Sequence, residues 1–341
     1  MPSSFSVKGI LELTAELALA GRRLRGPFLG GMRAIPRPVF HRSAVGLARL
    51  EHRVRHPLAS AKSRREARHA FSLLDGDGRH GLTRGAAARS WDYASYVWTA
   101  DMGTLLLHLP DAGFRAKALE IENGEAIDDA RASGQGAIVA GLHLGPHASL
   151  PLILAQSGYQ VAVIGSSAVL DLARRFAEPC LPEAWSRIVW FSTDEPRLLL
   201  KARSALRRGA LLVGFVDQPA SEPAWETEVG FLGGTVGVSR ALPYLAAVTG
   251  CSIVPACLTR AAGPRFALRL DDALPAPARD AASVEAVTQM LIHWAERQIL
   301  AHPDQWIGWR MLAPATGRRA VELAPTGQSG TRGALPRFAS G

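Results

Sequence analysis

From about residue 115 the chain alternates short, mostly apolar runs with stretches of helical length, and few folds accept that alternation. The runs are 116–121, 136–142, 160–165, 187–192, 210–216, 252–259 and 265–270. The run Ala210-Leu-Leu-Val-Gly-Phe-Val216 is apolar at successive positions, so neither face of the strand is meant for water. A strand of that kind belongs to a parallel sheet covered on both sides. Between the runs, helical patterns fall at about 123–133, 147–157, 167–177, 195–208, 237–249 and 281–301. The expected fold is therefore α/β: a mainly parallel sheet flanked by helices over residues 111–312.

Residues 1–110 read as a helical, basic region, with helices expected at 43–54, 60–74 and 85–107. Residues 1–70 hold 14 Lys and Arg against 4 Asp and Glu, whereas the whole chain carries only +9. A basic leading segment suits an anionic membrane surface. Nucleic acid is not expected as a partner, because no nucleic-acid-binding motif follows and the aromatics Phe5, Phe28 and Phe40 are not interleaved with the arginines. Ile10, Leu11, Leu13, Leu17 and Leu19 mark an amphipathic opening helix ending at Arg22, Arg23 and Arg25. Such a helix fits a membrane interface or the body of the protein equally well. The stretch from Ile10 to Ala20, broken by Glu12 and Glu16, is too short for a span and is no signal peptide, so a cytoplasmic, membrane-peripheral protein is expected. Cys180, Cys251 and Cys257 are odd in number and lack metal spacing, which fits free thiols. Asp75-Gly-Asp-Gly78 lacks the closing glutamate of a calcium loop and reads as a turn. Residues 313–341 read as a disordered tail.

Three stretches carry chemistry. In His143-Leu-Gly-Pro-His147 a histidine follows a strand, and Gly145 and Pro146 break that strand. A residue at the C-terminal edge of such a strand faces the crevice where open α/β sheets bind ligands. An imidazole there is suited to take a proton from a hydroxyl. Gly214-Phe-Val-Asp-Gln-Pro219 is a second strand ending in a polar turn, which puts Asp217 and Gln218 on the same edge if the sheet is parallel. Asp217 then acts on the histidine or the acceptor, or it makes an Asx turn. Phe231-Leu-Gly-Gly-Thr-Val-Gly-Val-Ser-Arg240 reads as a glycine-rich loop opening a helix, where Gly234, Thr235 and Arg240 would receive a phosphate or other anion. His143 and His147 have metal-like spacing, but Gly145 and Pro146 exclude a continuous helix, and no metal is expected. Ser149 with His147 suggests a hydrolase, yet no Gly-x-Ser-x-Gly elbow surrounds the serine. Trp294, Trp306 and Trp309 read as core or as a membrane-contacting rim.

In their order, these segments resemble the lysophospholipid acyltransferase superfamily, and within it the bacterial late lipid A acyltransferases. The resemblance rests on His143-Leu144-Gly145, Asp217-Gln218, Phe231-Leu232-Gly233, and Pro303-Asp304-Gln305-Trp306 with Trp309-Arg310. It implies acyl transfer from a thioester of acyl carrier protein or coenzyme A to a hydroxyl of a lipid or glycolipid. It further implies the cytoplasmic face of the inner membrane and no resident cofactor. The implied base is His143; Asp217 would join it in catalysis, and Gly145, His147, Ser149, Gln218, Gly234, Thr235 and Arg240 would bind substrate.

The family's histidine belongs to a His-x4-Asp/Glu motif, whose carboxylate fixes the tautomer and stabilises the imidazolium. In this chain that position is Ala148. Either another residue, with Asp217, His147 and Ser149 nearest, takes over, or the enzyme is slow, or the chain is a non-catalytic acyl- or lipid-binding relative.

Overall fold

The computed structural model describes residues 29–55, 64–69, 71–72 and 84–309, apart from 133, 194, 196, 221 and 222. The opening helix, the Asp75–Gly78 turn and the tail beyond 312 lie outside the described residues.

A seven-stranded sheet forms the body. Its strands are β1 (Leu119–Glu122), β2 (Ile138–Gly141), β3 (Val161–Gly165), β4 (Ile188–Ser192), β5 (Leu211–Phe215), β8 (Ile253–Arg260) and β9 (Phe266–Leu270), in the order β1-β9-β8-β2-β5-β3-β4. The five strands from β8 to β4 run parallel; β9 turns back against β8, and β1 follows β9. β2 is buried at every position because helices cover both faces. Each expected strand is present, although β1 begins at Leu119 because the residues ahead of it form a helix, Ala112–Ala118.

One expectation fails. The segment read as a glycine-rich loop is a second sheet: β6 (Glu226–Phe231) pairs antiparallel with β7 (Gly234–Ser239). Leu232 and Gly233, with φ of 51° and 78°, form the two-residue turn that such hairpins favour. Val229, Phe231, Val236 and Val238 are buried, and their alternation gives the hairpin an inner face. The helix expected from 237 therefore starts only at Ala241 and runs to Thr249.

The helical region leads into the sheet. Helix α1 (Arg37–Arg55) packs on α3 (Trp98–His108), which follows α2 (Arg84–Asp92) and a π-helical turn, Tyr93–Val97. Phe71, Trp91 and Tyr96 share one core with Ile138, Leu142 and Trp306, so the helical region and the sheet are welded by apolar burial. Helix α4 (Ala281–Ala301) lies against β6 and β8. No helix among the described residues is long and apolar enough to cross a membrane.

Candidate active site

Register assembles the site. Gly141 of β2 stands opposite Phe215 of β5 in a parallel pair, and two residues further along each strand come His143 and Asp217. The imidazole N–H at Nδ1 donates to Asp217 Oδ1 at 2.9 Å. The backbone N–H of His143 bridges both carboxylate oxygens at 3.1 Å. The indole N–H of Trp306 donates to Oδ2 at 2.8 Å. Asp217 is fully buried, while the His143 side chain keeps 13% of its surface.

Burial alone would push the Asp217 carboxyl up. The charge of His143 and the hydrogen bonds from His143 and Trp306 outweigh it, so the group sits below the usual carboxylate range. A carboxylate can only accept, so Nδ1 of His143 carries a proton, and in the neutral ring the lone pair is on Nε2. The result is an imidazole oriented and charge-balanced for general-base work.

A strap from Gln305 to Gly308 closes the back of the pair. Leu144 bridges Trp306, Gly145 N–H donates to the Gln305 carbonyl at 3.1 Å, and Ile307 N–H donates to the His143 carbonyl at 3.0 Å. Ser90 on α2 donates to the Trp306 carbonyl, and Trp309 Nε1 donates to Ser90 Oγ at 2.8 Å. Trp294, Trp306 and Trp309 are all buried, which assigns them to the core. Gly145 has φ of +57°, and a Cβ on it would lie 2.1 Å from the Leu258 carbonyl oxygen. It lets the chain after His143 pass against β8.

His147 opens a 3₁₀ turn, His147–Ser149, and its ring stands edge-on to His143 with centroids 4.7 Å apart. Phe215 and Trp98 enclose it further, at 5.4 and 5.7 Å. Its Nδ1 meets the Gly145 carbonyl at 3.2 Å, so that nitrogen bears the proton. Burial, aided by the charge of His143, pulls its pKa down to about 3. His147 is a neutral imidazole at any physiological pH.

The remaining expected residues divide. Gln218 is half-buried next to the dyad, and its carbonyl accepts from Ser239 N–H. Ser149 is fully buried with Oγ 3.2 Å from Met102 Sδ, which makes it a packing residue. Gly234 and Thr235 stand exposed at the tip of the β6–β7 hairpin. Arg240 donates to the Ala224 carbonyl at 2.7 Å and lies 3.6 Å from Glu285, so it braces the hairpin base and the phosphate-loop expectation gives way. Ala148 is only half-buried and faces no imidazole nitrogen bond, since Asp217 already occupies Nδ1. An open groove of about 370 Å³ lined by Asp271, Met290, His293 and Trp294 shares no residue with this site.

Sequence reasoning missed Trp306 as a donor to Asp217, Phe215 as a wall 4.5 Å from the His143 ring, and Trp98. Only the strap around Pro303–Trp306 carried a local signal.

Residues 101–310 match the family model for bacterial lipid A biosynthesis acyltransferases. Among solved structures, the chain is similar to the 1-acyl-sn-glycerophosphate acyltransferase PlsC from Thermotoga maritima. The identity is 12%, over 70% of this chain and 97% of that one, with a TM-score of 0.37. No curated protein sequence matches.

Proposed function

The chain belongs to the bacterial lipid A biosynthesis acyltransferase family and is an acyltransferase that moves an acyl group from a thioester to a lipid, and we propose that His143 is its general base, with Asp217 in place of the missing motif acid. The observation that carries this is the 2.9 Å bond from Nδ1 of a part-exposed imidazole to a fully buried carboxylate. Nε2 of His143 takes the proton of the acceptor hydroxyl, and the oxygen attacks the thioester carbonyl carbon. The C–S bond then breaks, and the departing thiolate recovers the proton from Nε2. An ester and a free thiol result, with no resident cofactor. Asp217 stays ionised throughout and stabilises the imidazolium. Backbone N–H groups of the crevice receive the oxyanion. Gly145, His147 and Gln218 line the acceptor side.

Acyl carrier protein or coenzyme A carries the donor, and a lipid A precursor or another glycolipid supplies the hydroxyl. The enzyme works as a peripheral protein on the anionic cytoplasmic face of the inner membrane. Support comes from the basic balance of residues 1–70, 14 Lys and Arg against 4 Asp and Glu.

Purified protein is assayed with acyl carrier protein and coenzyme A thioesters against a lipid acceptor. Transfer that His143→Ala abolishes supports the proposal, and undiminished transfer by that variant sinks it. Saturable long-chain lipid binding without turnover by the wild type would instead mark a non-catalytic relative.

A further inference from the structure

Half of the large apolar side chains that stand exposed among the described residues fall between Ile35 and Val54. Within α1, Val39, Leu47, Leu50 and Val54 are 51%, 54%, 58% and 71% exposed. At 100° per residue they fall within about 80° of arc, a stripe of about 22 Å along the helix. Arg42, Arg49 and Arg53, also exposed, form a parallel row beside it. The opposite face is occupied: Phe40, Val45 and Ala48 turn inward, and His41 Nε2 donates to buried Asp101 of α3 at 2.7 Å. Tyr93 holds the other oxygen of Asp101 at 3.1 Å, and Arg260 at the end of β8 lies 3.6 Å away.

An apolar stripe edged by arginines fits an interface whose interior is hydrocarbon and whose rim is anionic. We propose that the outer face of α1 lies on an anionic lipid surface, with Leu47, Leu50 and Val54 in the acyl region and Arg42 and Arg53 at the phosphates. This rests on the reading of the enzyme as one that works on a membrane lipid. The helix lies ahead of residues 101–310, so the surface belongs to this chain and not to the matched family segment. The His41–Asp101 bond makes the docked helix rigid with α3. One turn along α3 Trp98 stacks on His147, and Met102 touches Ser149. Docking therefore sets the height of the His143 crevice above the bilayer.

The test is co-sedimentation of the full chain with phosphatidylcholine vesicles, with and without phosphatidylglycerol. Wild type is expected to bind the anionic vesicles, and binding is expected to fall with salt. Each arginine reversed should weaken binding by about five-fold or more. Arg42→Glu with Arg53→Glu, and separately Leu47→Ser with Leu50→Ser, should lose the vesicles while thermal unfolding stays unchanged. Equal binding by these variants, equal binding of wild type to neutral vesicles, or no binding at all overturns the proposal. Transfer to a short-chain, water-soluble acceptor separates the two ideas. It survives in the α1 variants if only docking is lost, and it is lost in His143→Ala whatever α1 does. Should a variant fail to fold, hydrogen exchange of 37–55 in the wild type decides: slower exchange on anionic vesicles supports docking, and unchanged exchange refutes it.

A second observation stands independently. His147 is 7% exposed, and its Nδ1 proton is committed to the Gly145 carbonyl. Nε2 has no partner among the described residues and is not sealed from solvent. The centroids of His143 and His147 lie 4.7 Å apart, which limits their two Nε2 atoms to about 7 Å, a span that two hydrogen bonds and adjacent hydroxyls bridge. We infer that Nε2 of His147 accepts from a second O–H next to the attacked hydroxyl, so the acceptor class is a vicinal diol. Wild type should prefer such an acceptor over its mono-hydroxyl analogue by about three-fold or more in kcat/KM, the gain of one hydrogen bond exchanged against water. His147→Phe should bring that ratio close to one, chiefly through KM. An unchanged ratio in a variant that still transfers refutes the inference, and so does a wild type that shows no preference. Loss of all transfer in wild type would instead refute the acyltransferase mechanism at this site.

Discussion

Trp306 donates its indole N–H to Asp217 at 2.8 Å, and both side chains are wholly buried. The strap that delivers Trp306 thus forms the floor of the His143–Asp217 pair, and its indole shares Oδ2 with the backbone N–H of His143.

Asp217→Asn keeps the shape of the pair and removes its charge. The amide can no longer stabilise an imidazolium, and it can present the wrong group to Nδ1. Loss of the orienting carboxylate in a Ser-His-Asp triad costs about 10⁴ in rate, and a fall of that order in kcat with KM little changed is expected here. Steady-state kinetics on the two proteins decides; a fall of less than about ten-fold would remove Asp217 from the mechanism.

Trp306→Phe retains the ring and deletes the donor. Asp217 loses one of the bonds that hold its carboxyl below the ordinary range, so its pKa moves up. A buried acceptor left short of a partner costs about 1–3 kcal/mol of stability. Because the folded-state pKa is depressed in wild type, the stabilisation is present above the unfolded carboxylate pKa and is lost as pH falls through the folded value. The variant should lose it at higher pH, which chemical denaturation at several acidic pH values measures.

Gly308→Ala introduces a Cβ 2.4 Å from Trp306 Nε1 and 2.5 Å from Asp217 Oδ2. Those contacts are too close to keep, so the strap must move off the carboxylate. Activity is expected to fall by about 10-fold or more while the far-ultraviolet circular dichroism stays that of the wild type, since the sheet lies beneath the strap. Full activity in the alanine variant would contradict the contact.

His147 gives stability a pH slope of its own. Its pKa is about 3 in the fold and 6.5 in an open chain. Between those values the unfolded state holds a proton that the folded state refuses, so stability falls as pH drops from 6.5 toward 3, by about 1.4 kcal/mol per unit at most. His147→Phe should flatten that segment of the stability profile. An equal slope in the variant would assign it to other groups.

Ala148→Glu restores the family's motif acid beside an imidazole whose Nδ1 is already bonded to Asp217. No gain in kcat is expected. An increase of several-fold in the single variant would mean that Asp217 does not do the motif acid's work.

The hairpin shows where local reading failed. Phe231-Leu-Gly-Gly-Thr looks like a phosphate loop because its glycines are consecutive. The signal that decides otherwise is the alternation of Val229, Phe231, Val236 and Val238 on either side of the turn. Arg240 misled for the same reason: beside a helix start it suggests an anion site, whereas Ala224 and Glu285, distant in sequence, take its donors. For Ser149 the missing nucleophile elbow already speaks against a hydrolase in the sequence, and its burial against Met102 agrees.

Periodicity and turn residues alone determined the parallel sheet and the edge on which His143 sits, because apolar spacing and strand-breaking residues act within a few positions of themselves; the conflict at Ala148 came from the family resemblance. Which carboxylate serves the imidazole was decided in three dimensions. Asp217 lies 74 residues from His143 and Trp306 lies 89 beyond Asp217. Only the pairing of β2 with β5 and the docking of the strap bring the three side chains within hydrogen-bond reach, and no spacing along the chain encodes that register.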